Sequence, residues 1–162
     1  MSPIIRRAKE TDLFCLNSMM YQLHDEHHQQ CPDLFKTASE IEEEKSISRY
    51  LDDPDCMVYV AECEGLVIGF VTGHFCELIS TVSKPVMMGT IDELYVKKSH
   101  RRAGVAEKLM TRIEQELKDY GVKEMFVEVW DFNKTALDFY HQQDMKEHIH
   151  YLRKMLNKES EI

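Results

Sequence analysis

Thr90-Ile-Asp-Glu-Leu-Tyr-Val-Lys-Lys-Ser-His-Arg-Arg-Ala-Gly-Val-Ala-Glu-Lys-Leu109 is the stretch whose reading decides the fold. It begins as a run of strand formers, crosses a basic loop, and ends on small and apolar residues at helical spacing. A strand that feeds such a loop onto a helix N-terminus is an anion-binding device. The N–H groups of the first helical turn have no intrahelical acceptor, and the helix dipole adds positive potential there. Gly104 lets the backbone approach a ligand closely, Ala106 keeps the surface small, and Arg101 and Arg102 supply charge. No Gly-Lys-Ser/Thr follows, so this is not a Walker loop, and a single glycine does not make a dinucleotide fingerprint. The chemistry it points to is a phosphate or pyrophosphate.

Working outward, Gly104 opens an amphipathic helix with Val105, Leu109, Ile113 and Leu117 in four-residue steps, ending at Gly121. Lys123 to Trp130 reads as a strand, Asn133 starts a short helix, and His148 to Leu156 reads as a last strand. Upstream, Val86 to Val96 is a strand that follows a polar loop containing Ser83-Lys84-Pro85. Met57–Cys63 and Leu66–Gly73 flank Glu64-Gly65, the signature of a tight hairpin. Ile4 to Arg7 is a short first strand, and Thr11 or Asp12 caps a helix carrying Leu13, Leu16, Met19, Met20 and Leu23. A polar stretch from His24 to Lys36, broken by Cys31-Pro32-Asp33, ends that helix, and a second spans about Ser39 to Leu51. The order β-α-α-β-β-β-α-β-α-β predicts an α/β (α+β) domain on one mixed, mostly antiparallel sheet, with four helices. No repeat or linker divides it, so residues 1–162 read as a single domain.

Composition agrees. The chain has 162 residues, 43% hydrophobic and 30% charged, enough for one core. Its five cysteines, Cys15, Cys31, Cys56, Cys63 and Cys76, form no CxxC pair and read as free thiols in a reducing compartment. Neither a signal peptide nor a spanning apolar run is present, so a cytoplasmic protein without membrane attachment is expected. A formal charge of -9 repels nucleic acid and anionic lipid and attracts cations. The basic run Lys97-Lys98-Ser99-His100-Arg101-Arg102 therefore has a local purpose, which the anion-binding loop supplies.

These residues resemble the GNAT superfamily of N-acetyltransferases. Its cofactor loop, [Q/R]-x-x-G-x-[G/A], is matched by Arg101-Arg102-Ala103-Gly104-Val105-Ala106, with Ala106 in place of the commoner glycine. Leu94-Tyr95-Val96 matches the strand end that runs beside the pantetheine arm. Asn133-Lys-Thr-Ala136-Leu-Asp-Phe139-Tyr140 resembles the family's N-x-x-A-x-x-F-Y segment. The resemblance covers the whole chain in element order and implies a central sheet of about six or seven strands. One departure is Asp144-Met145, where the family usually carries Gly-Phe.

The resemblance implies acetyl-CoA as cosubstrate, lying where two strands splay apart, its pyrophosphate on backbone N–H groups from Arg102 to Ala106. A backbone N–H near Leu94 to Val96 would polarise the acetyl carbonyl. Tyr140 matches the tyrosine that protonates the departing thiolate, the role favoured here over that of a packed Tyr beside Phe139. Asn133 suits either a cofactor contact or an N-cap, and Ala136 falls in the same segment. Ile91-Asp92-Glu93-Leu94 is similar to the acidic pair of spermidine/spermine acetyltransferases, which makes Asp92 or Glu93 the base that deprotonates the amine. Adjacent strand residues face opposite sides, so only one would meet the substrate unless a bulge re-aims them. Transfer would be direct, with no covalent nucleophile.

His24-Asp25-Glu26-His27-His28 has spacing that could hold a metal, but without a third ligand no metal site is expected; it reads as a polar helix end, and the resemblance implies that this region borders the acceptor site and can help select the substrate. The sequence thus predicts an N-acetyltransferase acting on a small cationic amine such as a polyamine. A peptide or protein amine is the nearest alternative, and a non-catalytic acyl-CoA-binding module the rival from another class. A homodimer is compatible with the family, and no residue here marks its surface.

Overall fold

The structure, a computed structural model, describes residues 2–157. Two compact units divide the chain, Met1–Glu128 and Val129–Ile162. In the first, β1 (Ile4–Arg7), β2 (Cys56–Cys63), β3 (Leu66–Leu78), β4 (Val86–Val96) and β5 (Glu124–Val127) form one sheet in the order β1-β2-β3-β4-β5. The first three pairings are antiparallel and β4–β5 is parallel. This is the mixed, mostly antiparallel sheet expected, with five strands among the described residues where about six or seven were expected.

The hairpin turn lies where the sequence puts it. Glu64 (φ 51°) and Gly65 (φ 80°) are both left-handed, as a two-residue type I′ turn requires. Helix α1 (Leu13–Gln30) follows Asp12, whose carboxylate accepts from the Lys9 N–H and pairs with Arg6. The guanidinium holds the Asp12 carboxyl below its ordinary range. The expected single helix over Ser39–Leu51 is instead two, α2 (Ala38–Glu44) and α3 (Ser48–Asp52), broken at Lys45. Ile41 and Ile47 are six residues apart, so a continuous helix would put them on different faces. Breaking the helix buries Ile47, 1% exposed, in the core.

Helices cover both faces of the sheet. Leu16, Met19, Met20 and Leu23 of α1 and Ile47 pack on Val58, Val60, Phe70 and Tyr95. The long helix α4 (Val105–Asp119) covers the other face with Val105, Leu109, Met110, Ile113 and Leu117. Close approach on that side needs glycine: a Cβ on Gly73 would stand 2.8 Å from the Thr90 carbonyl and 2.9 Å from Ile113 Cδ1. Helix α4 ends in a Schellman turn, with Val122 N–H donating to Leu117 O (3.0 Å) and Gly121 N–H to Lys118 O (2.9 Å).

The second unit contains α5 (Lys134–Gln142). The last strand expected over His148–Leu156 is not formed; residues 145–157 are neither helix nor strand. A strand exists through the ladder it joins, and this segment has no ladder partner. The fifth strand is also shorter than Lys123–Trp130, because β5 follows β4 only from Met88 to Ile91. Trp130 lies beyond it and stacks near Phe132, ring centroids 6.4 Å apart.

Asp144, which stands where the family places glycine, adopts the glycine conformation at φ 63°. It closes α5 by the same turn, Met145 N–H to Tyr140 O (3.0 Å) and Asp144 N–H to His141 O (3.1 Å). The geometry survives the substitution at the cost of a left-handed L-residue. Asp144→Gly is expected to stabilise the protein by roughly 0.5–1 kcal/mol. A urea unfolding midpoint that stays put would mean that the Asp144 side chain repays its strain locally.

Candidate active site

Two features of β4 build the site. The first is a bulge. Thr72 of β3 pairs with Glu93 and the next residue, Gly73, pairs with Ile91, leaving Asp92 as the extra residue. Thr72 and His74 are two apart on β3 and so share a face, that of Phe70 and α1. The Thr72 hydroxyl donates to Glu93 and His74 Nδ1 lies 2.7 Å from Asp92 Oδ2. Both carboxylates therefore point to one face, which a regular strand forbids. Downstream of the bulge Tyr95 faces α1, while upstream Gly89 faces Leu117 of α4, so the alternation is reset.

The second feature is the divergence of β5. Its pairing stops at Ile91, so the edge of Asp92–Val96 away from β3 carries no strand among the described residues. This is the splay in which a ligand can run along Leu94, Tyr95 and Val96.

Both carboxylates are held by neighbouring side chains. Glu93 is 7% exposed; it accepts from the Thr72 hydroxyl and the Lys45 ammonium, and its own N–H donates to Thr72 Oγ1 at 2.9 Å. Asp92 is half-buried, and burial pushes its carboxyl above the ordinary range, against the stabilising contacts of His74 and the Tyr50 hydroxyl. Tyr50, on α3, feels both carboxylates, and burial with these charges raises its hydroxyl too. The Lys45 ammonium also sits 5.8 Å from the centre of the Tyr50 ring.

The histidines of α1 divide. His24 lies near Glu93 and Lys45; burial lowers its pKa, and its buried Nε2 has no hydrogen-bond partner. His27 stacks on Phe35 (5.4 Å) and His28 Nδ1 contacts Phe35 O (2.9 Å), so those two pack the turn after the helix. Among the described residues no group of three His, Cys, Asp or Glu is arranged to hold a metal.

The loop from β4 to α4 has the conformation its residues suggest. After a short turn at Lys98–His100, Arg102 (φ 65°) and Gly104 (φ 79°) are left-handed. A Cβ on Gly104 would meet nothing within 4 Å, so glycine serves the backbone conformation and not local packing. Alternating handed residues before a helix N-terminus turn successive N–H groups toward one point. Ala103 and Ala106 keep the approach open, and Val105 anchors the helix from beneath, 3% exposed. The Arg101 side chain, however, is turned back. Its Nε donates to Val96 O (2.7 Å), its Nη2 to Glu26 (3.0 and 3.1 Å), and it stacks on Tyr95 (5.2 Å). Tyr95 in turn donates to Gln22 (3.0 Å), so α1 braces the loop.

In the second unit, Asn133 caps α5, its Oδ1 accepting from the Ala136 N–H at 3.2 Å. Tyr140, on α5, packs against Phe139 (5.2 Å), and burial pushes its hydroxyl up to about 12.

Residues 19–145 match the model of the acetyltransferase (GNAT) family. The chain belongs to the GNAT acetyltransferase family. An acetyltransferase from Vibrio fischeri is 74% identical, covering 79% of this chain and 97% of that one, with a TM-score of 0.68. Fold similarity reaches further, to a Bacillus halodurans protein mutant (TM-score 0.83, 20% identity, 95% and 99% covered). It also reaches the aminoglycoside N-acetyltransferase AAC(6')-Iy in complex with CoA (TM-score 0.68, 19% identity, 94% and 99% covered). As a GNAT enzyme the chain uses acetyl-CoA as its acetyl donor, and a left-handed loop on a helix N-terminus beside an unpaired strand edge fits that molecule's pyrophosphate and pantetheine arm. No helix among the described residues is long and apolar enough to cross a membrane.

Sequence reasoning missed Lys45, Tyr50, Thr72 and His74, and the tie of Glu26 to Arg101. Thr72 and His74 did carry a signal, as polar residues on the same face as Phe70 in a strand otherwise apolar up to Cys76. Lys45 was hidden at the end of a Glu-rich run that reads as solvated.

Proposed function

We propose that this GNAT acetyltransferase transfers the acetyl group directly to a primary amine on a small cationic molecule, the whole chain working as one domain. The observation that carries the reading is the bulge at Asp92, which gathers two carboxylates on one face beside an open strand edge. An ammonium has no lone pair and must lose a proton before it attacks. Glu93, buried and already holding an ammonium, is the acceptor for that proton. Asp92 deepens the negative field, and His74, half-exposed, connects it toward solvent.

The backbone N–H groups of Arg102 to Ala106 would hold the pyrophosphate, and an N–H among Leu94, Tyr95 and Val96 would stabilise the developing oxyanion. Arg101 would act as a strut for this loop, through Val96 and Glu26. Tyr140 would return a proton to the departing thiolate; a hydroxyl near 12 is fully protonated at neutral pH and so available as a donor. Asn133 and Ala136 would set the helix that carries it.

A small cationic acceptor suits the net charge of -9 and the carboxylate pair. It also suits the aminoglycoside acetyltransferases among the fold relatives, one solved with sisomicin. The test is CoA release, followed by chromatography, over polyamines, aminoglycosides, amino acids and peptide amines. Acetylation of the polyamines or aminoglycosides is expected. Turnover confined to peptides would move the acceptor to a protein amine, and tight acetyl-CoA binding with no turnover would leave a binding module.

A further inference from the structure

The residue seated on Glu93 is a lysine. Lys45 ends α2 in extended conformation (φ -127°, ψ 125°), and its ammonium bonds the Glu93 carboxylate over the Tyr50 ring. Its side chain is 40% exposed, whereas that of Glu93 is 6% exposed. A lysine at a helix end could project into water; this one instead points inward to a carboxylate already served by Thr72. Carboxylate, aromatic face and a second carboxylate are the groups that would receive the ammonium of a cationic substrate.

We propose that Lys45 is an internal acceptor: the enzyme acetylates its own Lys45 Nζ when no amine substrate occupies the site. The proposal rests on the reading of Glu93 as the base, because the amine that Glu93 deprotonates must lie within hydrogen-bond reach of it, as Lys45 does. The step balances as ordinary transfer. Glu93 takes one proton from the ammonium, and the freed lone pair forms the N–C bond to the acetyl carbon. The C–S bond breaks, and CoA leaves as thiolate. The thiolate gains a proton as the new amide loses its second, and Glu93 returns its own to solvent. The amide product carries no charge, so Lys45 then releases Glu93 and the site opens to external amines.

The test is incubation of the full chain with isotopically labelled acetyl-CoA and no amine, followed by peptide mass spectrometry. One acetyl group on the Lys45 peptide is expected, ahead of every other lysine, at a first-order rate independent of protein concentration. Heat-denatured protein should lose this preference, and Glu93→Gln should slow the labelling by about 100-fold or more. An added cationic amine that is turned over should protect Lys45. If external amines are acetylated through Glu93 while Lys45 stays unlabelled, the internal acceptor is wrong and the function stands. If neither is acetylated although acetyl-CoA binds, both fall. Labelling of Lys45 undiminished by Glu93→Gln would also overturn the proposal, as a reaction without the base.

Discussion

Glu93→Gln is expected to lower kcat for amine acetylation by about two to four orders of magnitude, with acetyl-CoA affinity unchanged. The substitution keeps the side-chain volume, and the Thr72 hydroxyl can still donate to the amide oxygen. What it removes is the ability to take a proton and the charge that holds an ammonium. Lys45 loses its partner too, but at 40% exposure it can turn to solvent without a buried charge being stranded. The measurements are steady-state kinetics and calorimetric titration of acetyl-CoA, with thermal unfolding as a control for folding. Asp92→Asn is the comparison. A larger loss there than at Glu93 would make Asp92 the base, with its burial-raised carboxyl as the reason. A Glu93→Gln enzyme within threefold of the parent would sink the reading of Glu93.

Gly104→Val is expected to raise KM for acetyl-CoA by about an order of magnitude and to cost about 1–2 kcal/mol of stability. The residue sits at φ 79° as the cap of α4, a conformation that a β-branched side chain resists. Since nothing lies within 4 Å of the added Cβ, packing contributes little and the effect reports the backbone. Gly65 provides the matching control, at φ 80° and equally unobstructed, in the β2–β3 turn. Gly65→Val should cost comparable stability and leave KM for acetyl-CoA alone. If both variants raise KM alike, the effect is general loosening and the loop at Arg101–Ala106 does not hold the pyrophosphate.

Both predictions combine a residue visible in the sequence with a geometry that was not. Gly104, the Arg-rich loop and the helix behind it were legible because local rules govern them. A strand, a loop with left-handed residues and a helix start are short-range events, and so are the Glu64-Gly65 turn, β4 at Val86–Val96 and the Gly121 cap. Asp92 and Glu93 were likewise legible as candidates, while their alternation left open which one faced the substrate. A single bulge turns both to one face. Such a bulge depends on how β3 registers against β4, a pairing between distant segments that no local pattern encodes.

By itself, the sequence determined the fold class, the order of elements from β2 to α5, the left-handed loop before α4 and the presence of two adjacent carboxylates on β4, because propensity, spacing and capping act within a few residues. Tertiary structure alone decided the surroundings of those carboxylates. Thr72 and His74 come from β3, Tyr50 from α3 and His24 from α1, and each reaches the pair only after the sheet has formed. It also decided that the segment over Ser39–Leu51 breaks at Lys45, that Arg101 is tied to Glu26, and that 148–156 stays out of the sheet. In the first two cases the residue is held by a contact across tens of residues, Lys45 to Glu93 and Arg101 to Glu26, and in the third no ladder partner is present among the described residues; local periodicity reports neither.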